Sequence, residues 1–151
     1  MGTPTEDKEA PRFRLLVIGL GLLGGSAALA AKKHGLVDQI VALARPGRNH
    51  QEAVEAGLID RYTNELEEGL SDSDFVLLAG PVEKIREAIP EILQKARKGT
   101  IVTDVGSTKW GLVKAAEQVS SGVHFVGSHP MVGSHLTGWQ NASPDLFRNG
   151  T

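Results

Sequence analysis

The stretch GLGLLGGSAA, residues 19–28, decides the fold, because it contains the pattern G-x-G-x-x-G as Gly19, Gly21 and Gly24. It follows a compact apolar run, residues 13–19, that reads as a buried strand, and it opens a segment rich in alanine and leucine that is typical of a helix. In such a unit the first glycine makes the tight turn, the second lets a pyrophosphate approach the backbone, and the third lets the helix pack on the strand. The unpaired amides at the helix start, those of Leu22 and Leu23 included, would hold the pyrophosphate. A dinucleotide-binding turn is therefore favoured over glycines that serve only a tight turn.

The rest of the chain alternates short apolar runs with longer amphipathic ones. Further strands are predicted at 39–44, 74–80, 100–106 and 123–127, and helices at 22–35, 50–57, 82–99 and 107–119. Gly35 is expected to close the first helix, and Pro90 is expected to kink or break the third one. Strands separated by helices indicate βαβ units with right-handed crossovers. We therefore predict an α/β domain with a doubly wound, mainly parallel sheet over residues 13–151, after a disordered lead-in at 1–12.

Composition excludes several classes of function. The 151 residues carry a formal net charge of −2 with no long run of one sign, which gives no electrostatic footprint for nucleic acid or an anionic membrane. There is no cysteine, so disulfides, thiolate nucleophiles and cysteine-based zinc sites are excluded. No apolar run approaches the roughly 20 residues that span a bilayer. The N-terminus lacks the basic and apolar regions of a signal peptide, so we expect a cytoplasmic protein.

The end of the second predicted strand bears on the choice of dinucleotide. An NAD-binding domain carries Asp or Glu about 20 residues beyond the glycines, where it binds the ribose 2′-hydroxyl. This chain has Ala44 at that place, followed by Arg45, with Arg48 close behind. A missing carboxylate removes repulsion of a 2′-phosphate, and a guanidinium can bind that phosphate bidentately. NADP is therefore favoured over NAD. The alternative is a pair of solvated arginines beside a tolerant NAD site.

Two loops that follow later strands should join the glycine turn at the same edge of the sheet, where ligands of open α/β sheets bind. In the first loop, Gly80, Pro81 and Val82 are expected to pass beneath the cofactor. The second loop brings Asp104 to the cofactor side and carries Ser107, Thr108 and Lys109 at a helix start. Ser107 is also a natural N-cap, so a purely structural role for it stays open. Lys109 lies in the first helical turn, where the dipole mildly disfavours a cation, and this favours a role facing a ligand.

The third loop is VGSHPMVGSH, residues 126–135, which contains two of the three histidines in this region. His124 lies in a predicted strand while His129 and His135 lie in the loop, and no carboxylate joins them at ligand-like spacing. We therefore expect no metal site. For His129, local sequence leaves a general base and an ordinary loop histidine both open. Its place at the cofactor edge favours the base, because the unperturbed pKa of histidine, about 6.5, suits proton transfer.

The set VIGLGLLGGS, TDVGSTK and GSHPMVGS…GW…A…LF, in this order, resembles the prephenate/arogenate dehydrogenase family of tyrosine biosynthesis. The resemblance implies a Rossmann-type domain that binds NAD(P) for the oxidative decarboxylation of prephenate or arogenate. Hydride leaves the ring carbon that bears the 4-hydroxyl, and the ring carboxylate departs as carbon dioxide. His129 would take the hydroxyl proton and Ser107 would hold the same hydroxyl, while Lys109 and Ser134 would lie near the substrate.

The chain departs from the family pattern in two respects. Family members often have an acidic residue after the serine that corresponds to Ser134, whereas this chain has His135. The family also has a helical C-terminal domain, which supplies dimerisation and much of the substrate site. We expect this chain to be the cofactor-binding fragment of a homodimer and to lack turnover alone. Two alternatives stay open: another Rossmann-domain hydroxyacid or imine dehydrogenase, and a dinucleotide-binding module without enzymatic activity.

Overall fold

The computed structural model describes residues 12–132 and 134–150. The first half of the described chain contains β1 (Phe13–Ile18), α1 (Leu22–Lys33), β2 (Val37–Leu43), α2 (Gln51–Glu55), β3 (Arg61–Thr63) and α3 (Leu66–Ser71). The second half contains β4 (Phe75–Leu78), α4 (Val82–Lys95), β5 (Ile101–Asp104), α5 (Trp110–Glu117), β6 (His124–Val126) and a 3₁₀ turn (Trp139–Asn141). The predicted lead-in, apart from Arg12, lies outside the described residues.

The six strands form one parallel sheet in the order β3-β2-β1-β4-β5-β6. This is the doubly wound arrangement of dinucleotide-binding domains, and it confirms the predicted fold class. The strand order reverses between β1 and β4, which places a crevice beyond their carboxyl ends. In the register, Ile18 lies opposite both Leu43 and Leu78, and Leu78 lies opposite Asp104. The loops that follow β1, β2, β4 and β5 therefore start at one level.

Each face of the sheet has its own apolar core, since successive side chains of a strand point to opposite faces. On β1, Leu16 packs with the buried isoleucines of α4 and with Leu112 of α5. Its neighbours Leu15 and Val17 pack on the other face with Ala28 of α1 and with Ala53 of α2. The small side chains of α1 and the larger ones of α4 thus hold the two layers of helices against the sheet.

Three elements differ from the predictions. The edge strand β3 and the short helix α3 were not predicted, because neither contains an apolar run or a helical period long enough to detect. The break considered at Pro90 is absent, since α4 is continuous from Val82 to Lys95. Proline in a helix costs about 3 kcal/mol. The burial of Ile85, Ile89, Ile92 and Leu93 along the same helix outweighs that cost, at about 1.5–3 kcal/mol for each side chain.

Candidate active site

The glycine-rich turn contacts the loop after β4. Gly19 has a φ of +103°, and a Cβ built there would lie 2.5 Å from the Gly80 nitrogen and 2.6 Å from the Ala79 carbonyl carbon. A Cβ on Gly24 would overlap the Gly19 carbonyl oxygen and would lie 3.0 Å from Cγ1 of Val17. These two glycines therefore let the turn, the start of α1 and the end of β4 approach one another, as the G-x-G-x-x-G pattern predicts.

The second glycine of the pattern leaves open space at the start of α1. A Cβ on Gly21, the N-cap residue, would meet no atom within 4 Å. The first intrahelical bond runs from the Gly25 amide to the Gly21 carbonyl at 2.9 Å, so the amides of Leu22, Leu23 and Gly24 precede the helical ladder. The first turn of α1 contains no acidic residue. This arrangement fits an anion such as a pyrophosphate at the positive end of the helix dipole.

The loop after β4 connects the glycine turn with the loop after β5. Gly80 lies against Gly19, and Pro81 is the N-cap residue of α4, whose carbonyl accepts the Ile85 amide at 3.0 Å. Val82 approaches the loop after β5, since its Cγ2 lies 3.1 Å from the position of a Cβ on Gly106. The structure therefore brings Gly80, Pro81 and Val82 to the predicted edge of the crevice. Their contact with a cofactor stays a prediction.

Asp104 ends β5 with a side chain that is 0% exposed. Its carboxylate accepts the Gly106 amide at 2.8 Å and the Ser128 amide at 3.2 Å, and it pairs with the Lys109 ammonium. The bonds described for this side chain thus join two loops of the protein. The cofactor contact predicted for Asp104 remains a prediction. The hydrogen bond between the Ser128 amide and the Asp104 carboxylate was not predicted from the sequence.

Three of the residues predicted to face the substrate are exposed. Ser107 is exposed in a bend before α5, whose N-cap residue is Lys109 without a side-chain capping bond, so the interpretation of Ser107 as N-cap is wrong. His129 is exposed in the loop after β6, next to Ser128. Ser134 is also exposed, and its hydroxyl accepts the Leu136 amide at 3.1 Å within a local turn.

The arginines that favour NADP lie in a turn after β2. Ala44 is buried, whereas Arg45 and Arg48 are exposed, and the Arg48 amide donates to the Arg45 carbonyl at 2.9 Å. The side-chain amide of Asn64 donates to the carbonyls of Arg45 and Arg48 at 2.9 and 3.0 Å. Asn64, the residue directly after β3, therefore organises the turn after β2, a role that the sequence did not suggest. Both guanidinium groups are accessible to a ligand.

A polar cleft of about 310 Å³ lies beside this turn, lined by residues 47–50, α2 and Trp139. His50 is half-buried there, with its ring edge-on to the ring of Tyr62 at 6.3 Å between centroids. Burial lowers the pKa of His50, and the charge of Arg45 lowers it further. Both effects favour the neutral form of the imidazole next to the arginine turn.

The polypeptide after the third loop packs on α1, which was not predicted. Cβ atoms of Ala142 and Trp139 would lie 3.0 and 3.2 Å from a Cβ on Gly25. The buried Ser26 hydroxyl accepts the Ser143 amide at 3.0 Å. Gly25 and Ser26 therefore face residues 139–143.

Two further properties follow from the described residues. In ranges 12–132 and 134–150 there is no group of three or more His, Asp or Glu side chains that could hold a metal ion. Over the same ranges, no helix combines the length and apolar character needed to cross a membrane.

The sequence model described as "Prephenate dehydrogenase, nucleotide-binding domain" matches residues 27–151. Prephenate dehydrogenase of Lactococcus lactis is 38% identical over 139 residues, which are 90% of this chain and 39% of that protein. Prephenate dehydrogenase of Bacillus subtilis is 37% identical over 137 residues, or 89% of this chain and 37% of that protein. The chain thus spans about two fifths of the length of these relatives.

Solved structures agree with this match. Prephenate dehydrogenase from A. aeolicus, in complex with hydroxyphenyl propionate and NAD⁺, superposes with a TM-score of 0.84 at 30% identity, covering 95% of this chain and 50% of that one. Synechocystis arogenate dehydrogenase gives a TM-score of 0.79 at 30% identity, covering 91% and 48%. A 3-hydroxyisobutyrate dehydrogenase from Mycobacterium tuberculosis shares the fold at 18% identity, with a TM-score of 0.61 over 85% of this chain and 42% of that one. The chain belongs to the prephenate dehydrogenase family.

Proposed function

We propose that this chain is the cofactor-binding part of an NAD(P)-dependent dehydrogenase that oxidatively decarboxylates prephenate or arogenate in tyrosine biosynthesis. One observation carries the proposal: a helix start suited to a pyrophosphate is packed, through Gly80 and Val82, against the loop that carries Ser107. The loop that carries His129 is bonded to the same region through Ser128. Membership of the family and the names of the relatives support the same reaction.

We propose separate roles for the residues at the glycine turn and for His129. The bound nicotinamide dinucleotide supplies the hydride acceptor. The amides of Leu22 and Leu23 hold the pyrophosphate, and Gly21 leaves room for it. The exposed imidazole of His129 accepts the proton of the substrate hydroxyl, for which neutral histidine is suited near pH 7.

The remaining predicted residues orient the substrate. Ser107 presents an exposed hydroxyl that can hydrogen-bond to the substrate hydroxyl from the start of the α5 region. We also propose that Lys109 and Ser134 face the substrate, because an ammonium and a hydroxyl suit an anionic substrate. Because the chain spans about two fifths of its curated relatives, we propose that a helical C-terminal domain completes the substrate site and forms a homodimer. We place the enzyme in the cytoplasm.

The reaction is tested on a polypeptide of the relatives' length, assayed with prephenate and with arogenate while reduced nicotinamide is followed by absorbance. Carbon dioxide released in step with reduced nicotinamide supports the proposal. If neither substrate gives reduced nicotinamide, although the dinucleotide binds with micromolar affinity, the chain is a dinucleotide-binding module and the proposed reaction is wrong. Comparison of the two rates also decides between the two substrates.

We further propose that the cofactor is NADP rather than NAD, because Ala44 stands where an NAD-binding domain carries a carboxylate and the exposed Arg45 and Arg48 follow it. Calorimetric titration of the 151-residue chain should give tighter binding of NADP. Arg45→Ala should weaken NADP binding about tenfold, since a charge-assisted hydrogen bond contributes about 1.5–3 kcal/mol, and should leave NAD binding unchanged. Lys114→Ala, which removes one exposed charge from α5, is the matched control. Equal or tighter binding of NAD by the unmodified chain would contradict the preference.

A further inference from the structure

A single buried carboxylate bonds to both loops that carry the residues proposed to act on the substrate. One oxygen of Asp104, Oδ2, accepts the amide of Gly106 at 2.8 Å, and the other, Oδ1, accepts the amide of Ser128 at 3.2 Å. Gly106 directly precedes Ser107, and Ser128 directly precedes His129. The carboxylate therefore bonds to the backbone of the residue directly before Ser107 and of the residue directly before His129.

Hydroxyl groups extend this connection beyond the last pair of β5 and β6. The Ser128 hydroxyl donates to the backbone carbonyl of Asp104, and the Thr103 hydroxyl donates to the Val126 carbonyl at 2.6 Å. The Thr103 and Ser128 hydroxyls are also within hydrogen-bond distance, 3.1 Å. Backbone pairing of the two strands ends at Thr103 and Val126, so side-chain bonds hold the start of the loop that carries His129.

The surroundings of the Asp104 carboxylate leave room for it and provide a cation to pair with it. A Cβ on Gly106 would lie 2.9 Å from Oδ2 of Asp104, so a residue with a side chain at this position would displace the carboxylate. The ammonium of Lys109 pairs with the same oxygen, and its side chain is 30% exposed while that of Asp104 is 0% exposed. A carboxylate removed from water needs a cation and hydrogen-bond donors to be tolerated, and this site supplies both.

We propose that Asp104 is a positioning residue, which fixes Ser107 and His129 relative to each other by holding the backbone next to each of them. This inference rests on the proposed function. It assigns Asp104 no contact with the reacting atoms and adds a role to a residue otherwise expected to face the cofactor. Proton transfer and hydride transfer depend on such geometry, because a misplacement of about 1 Å lowers a rate by about a hundredfold.

The test compares Asp104→Asn with Asp74→Asn in a polypeptide of the relatives' length. In Asp104→Asn an NH₂ group replaces one acceptor oxygen and faces a donor, so one loop loses its bond. We expect kcat to fall about a hundredfold, while the Kd of the dinucleotide changes less than threefold. Asp74 is ion-paired with Arg14 and Arg97 at the opposite end of the sheet, so Asp74→Asn also removes an ion-paired carboxylate but should leave kcat unchanged.

A spectroscopic measurement on the 151-residue chain separates this proposal from the proposed reaction. In Asp104→Asn the ring signals of His129 in a ¹H–¹³C NMR spectrum should shift or broaden, whereas in Asp74→Asn they should match those of the unmodified chain. Unchanged ring signals together with an unchanged kcat in Asp104→Asn would overturn the positioning role. If neither prephenate nor arogenate is turned over, the proposed reaction is wrong, and the ring signals still decide whether Asp104 positions the loop that carries His129.

A milder variant covers the case in which Asp104→Asn does not fold. Ser128→Ala keeps the carboxylate and the Ser128 amide, and it removes only the hydroxyl that donates to the Asp104 carbonyl. We expect a loss of kcat of about threefold to tenfold, with the dinucleotide Kd unchanged. A Ser128→Ala enzyme with the kcat of the unmodified one would overturn the proposal.

Discussion

The substitution Gly19→Ala should destabilise the fold, because two independent costs act at this position. A φ of +103° is a backbone conformation that alanine rarely adopts, and this strain costs about 1–3 kcal/mol. The added Cβ would also lie 2.5 Å from the Gly80 nitrogen and 2.9 Å from the Ala79 oxygen, both backbone atoms. Moving the end of β4 to make room costs about another 1–3 kcal/mol. The expected loss is therefore about 3 kcal/mol of the free energy of unfolding.

The substitution Gly21→Ala provides the matched comparison two residues further along. A Cβ at Gly21 meets no atom within 4 Å, and the φ of −115° is ordinary for alanine. The loss in stability should stay below about 1 kcal/mol, the cost of alanine at an N-cap position. The methyl group occupies the space through which a pyrophosphate would approach the helix amides, so the affinity for the dinucleotide should fall at least about tenfold, or 1.4 kcal/mol.

Urea unfolding and calorimetric titration of the two variants measure these effects. With a slope of about 2 kcal/mol per molar urea, Gly19→Ala should lower the unfolding midpoint by about 1.5 M. Gly21→Ala should keep a nearly unchanged midpoint and lose binding. If Gly19→Ala unfolds at the same urea concentration as the unmodified chain, the close approach of the turn to β4 is wrong. If Gly21→Ala binds the dinucleotide as before, the pyrophosphate does not lie at the start of α1.

Two further predictions concern stability and the segment on α1. The hydrogen bond from Arg14 is the main cause that lowers the pKa of Asp74 from 3.8 to about 2, so this carboxylate contributes stability that is complete above about pH 4 and is lost as the pH falls towards 2. Allowing for solvent screening of a side chain that is 34% exposed, the contribution is about 1 kcal/mol. In urea unfolding, the difference in the free energy of unfolding between the unmodified chain and Asp74→Asn should be smaller at pH 2.5 than at pH 6. The same difference at both pH values would contradict the assignment. Gly25→Val places a branched side chain where the Cβ atoms of Ala142 and Trp139 would lie within 3.2 Å of the new Cβ. Residues 139–143 should therefore leave α1, and tryptophan emission should move to longer wavelength. The control Gly111→Ala, whose new Cβ would meet only the Arg86 Cδ at 3.4 Å, should leave the emission unchanged. An unchanged emission spectrum of Gly25→Val would contradict this packing.

The doubly wound fold class was predictable because it follows from local signals. A compact apolar run before G-x-G-x-x-G and the repeated alternation of strand and helix leave few topologies open once crossovers are right-handed. The same local reasoning placed Ala44 and Arg45 at the end of β2, where the structure has them. It missed β3, because a three-residue edge strand depends on pairing with β2 and not on its own composition.

The burial of Asp104 could not be predicted, because a polar residue at the end of a strand is equally suited to binding a ligand and to anchoring a loop. The partner that decides between them, Ser128, is 24 residues away in sequence. The packing of Ser26 against Ser143 spans 117 residues, and a buried serine within an Ala-rich helix carries little information about its partner. The helix predicted from residue 107 begins at Trp110 instead, and Lys109, directly before it, is ion-paired with Asp104.

The turnover of His129→Asn tests the central claim most directly. The measurement is made on a polypeptide of the relatives' length, with prephenate and with arogenate, alongside the Kd of the dinucleotide. The loss of a general base costs about a hundredfold to ten-thousandfold in rate. We predict that kcat falls by this amount while the Kd stays within about twofold of the unmodified protein, because His129 lies after β6, away from the glycine turn. A kcat equal to that of the unmodified enzyme would contradict the assignment of His129 as the proton acceptor.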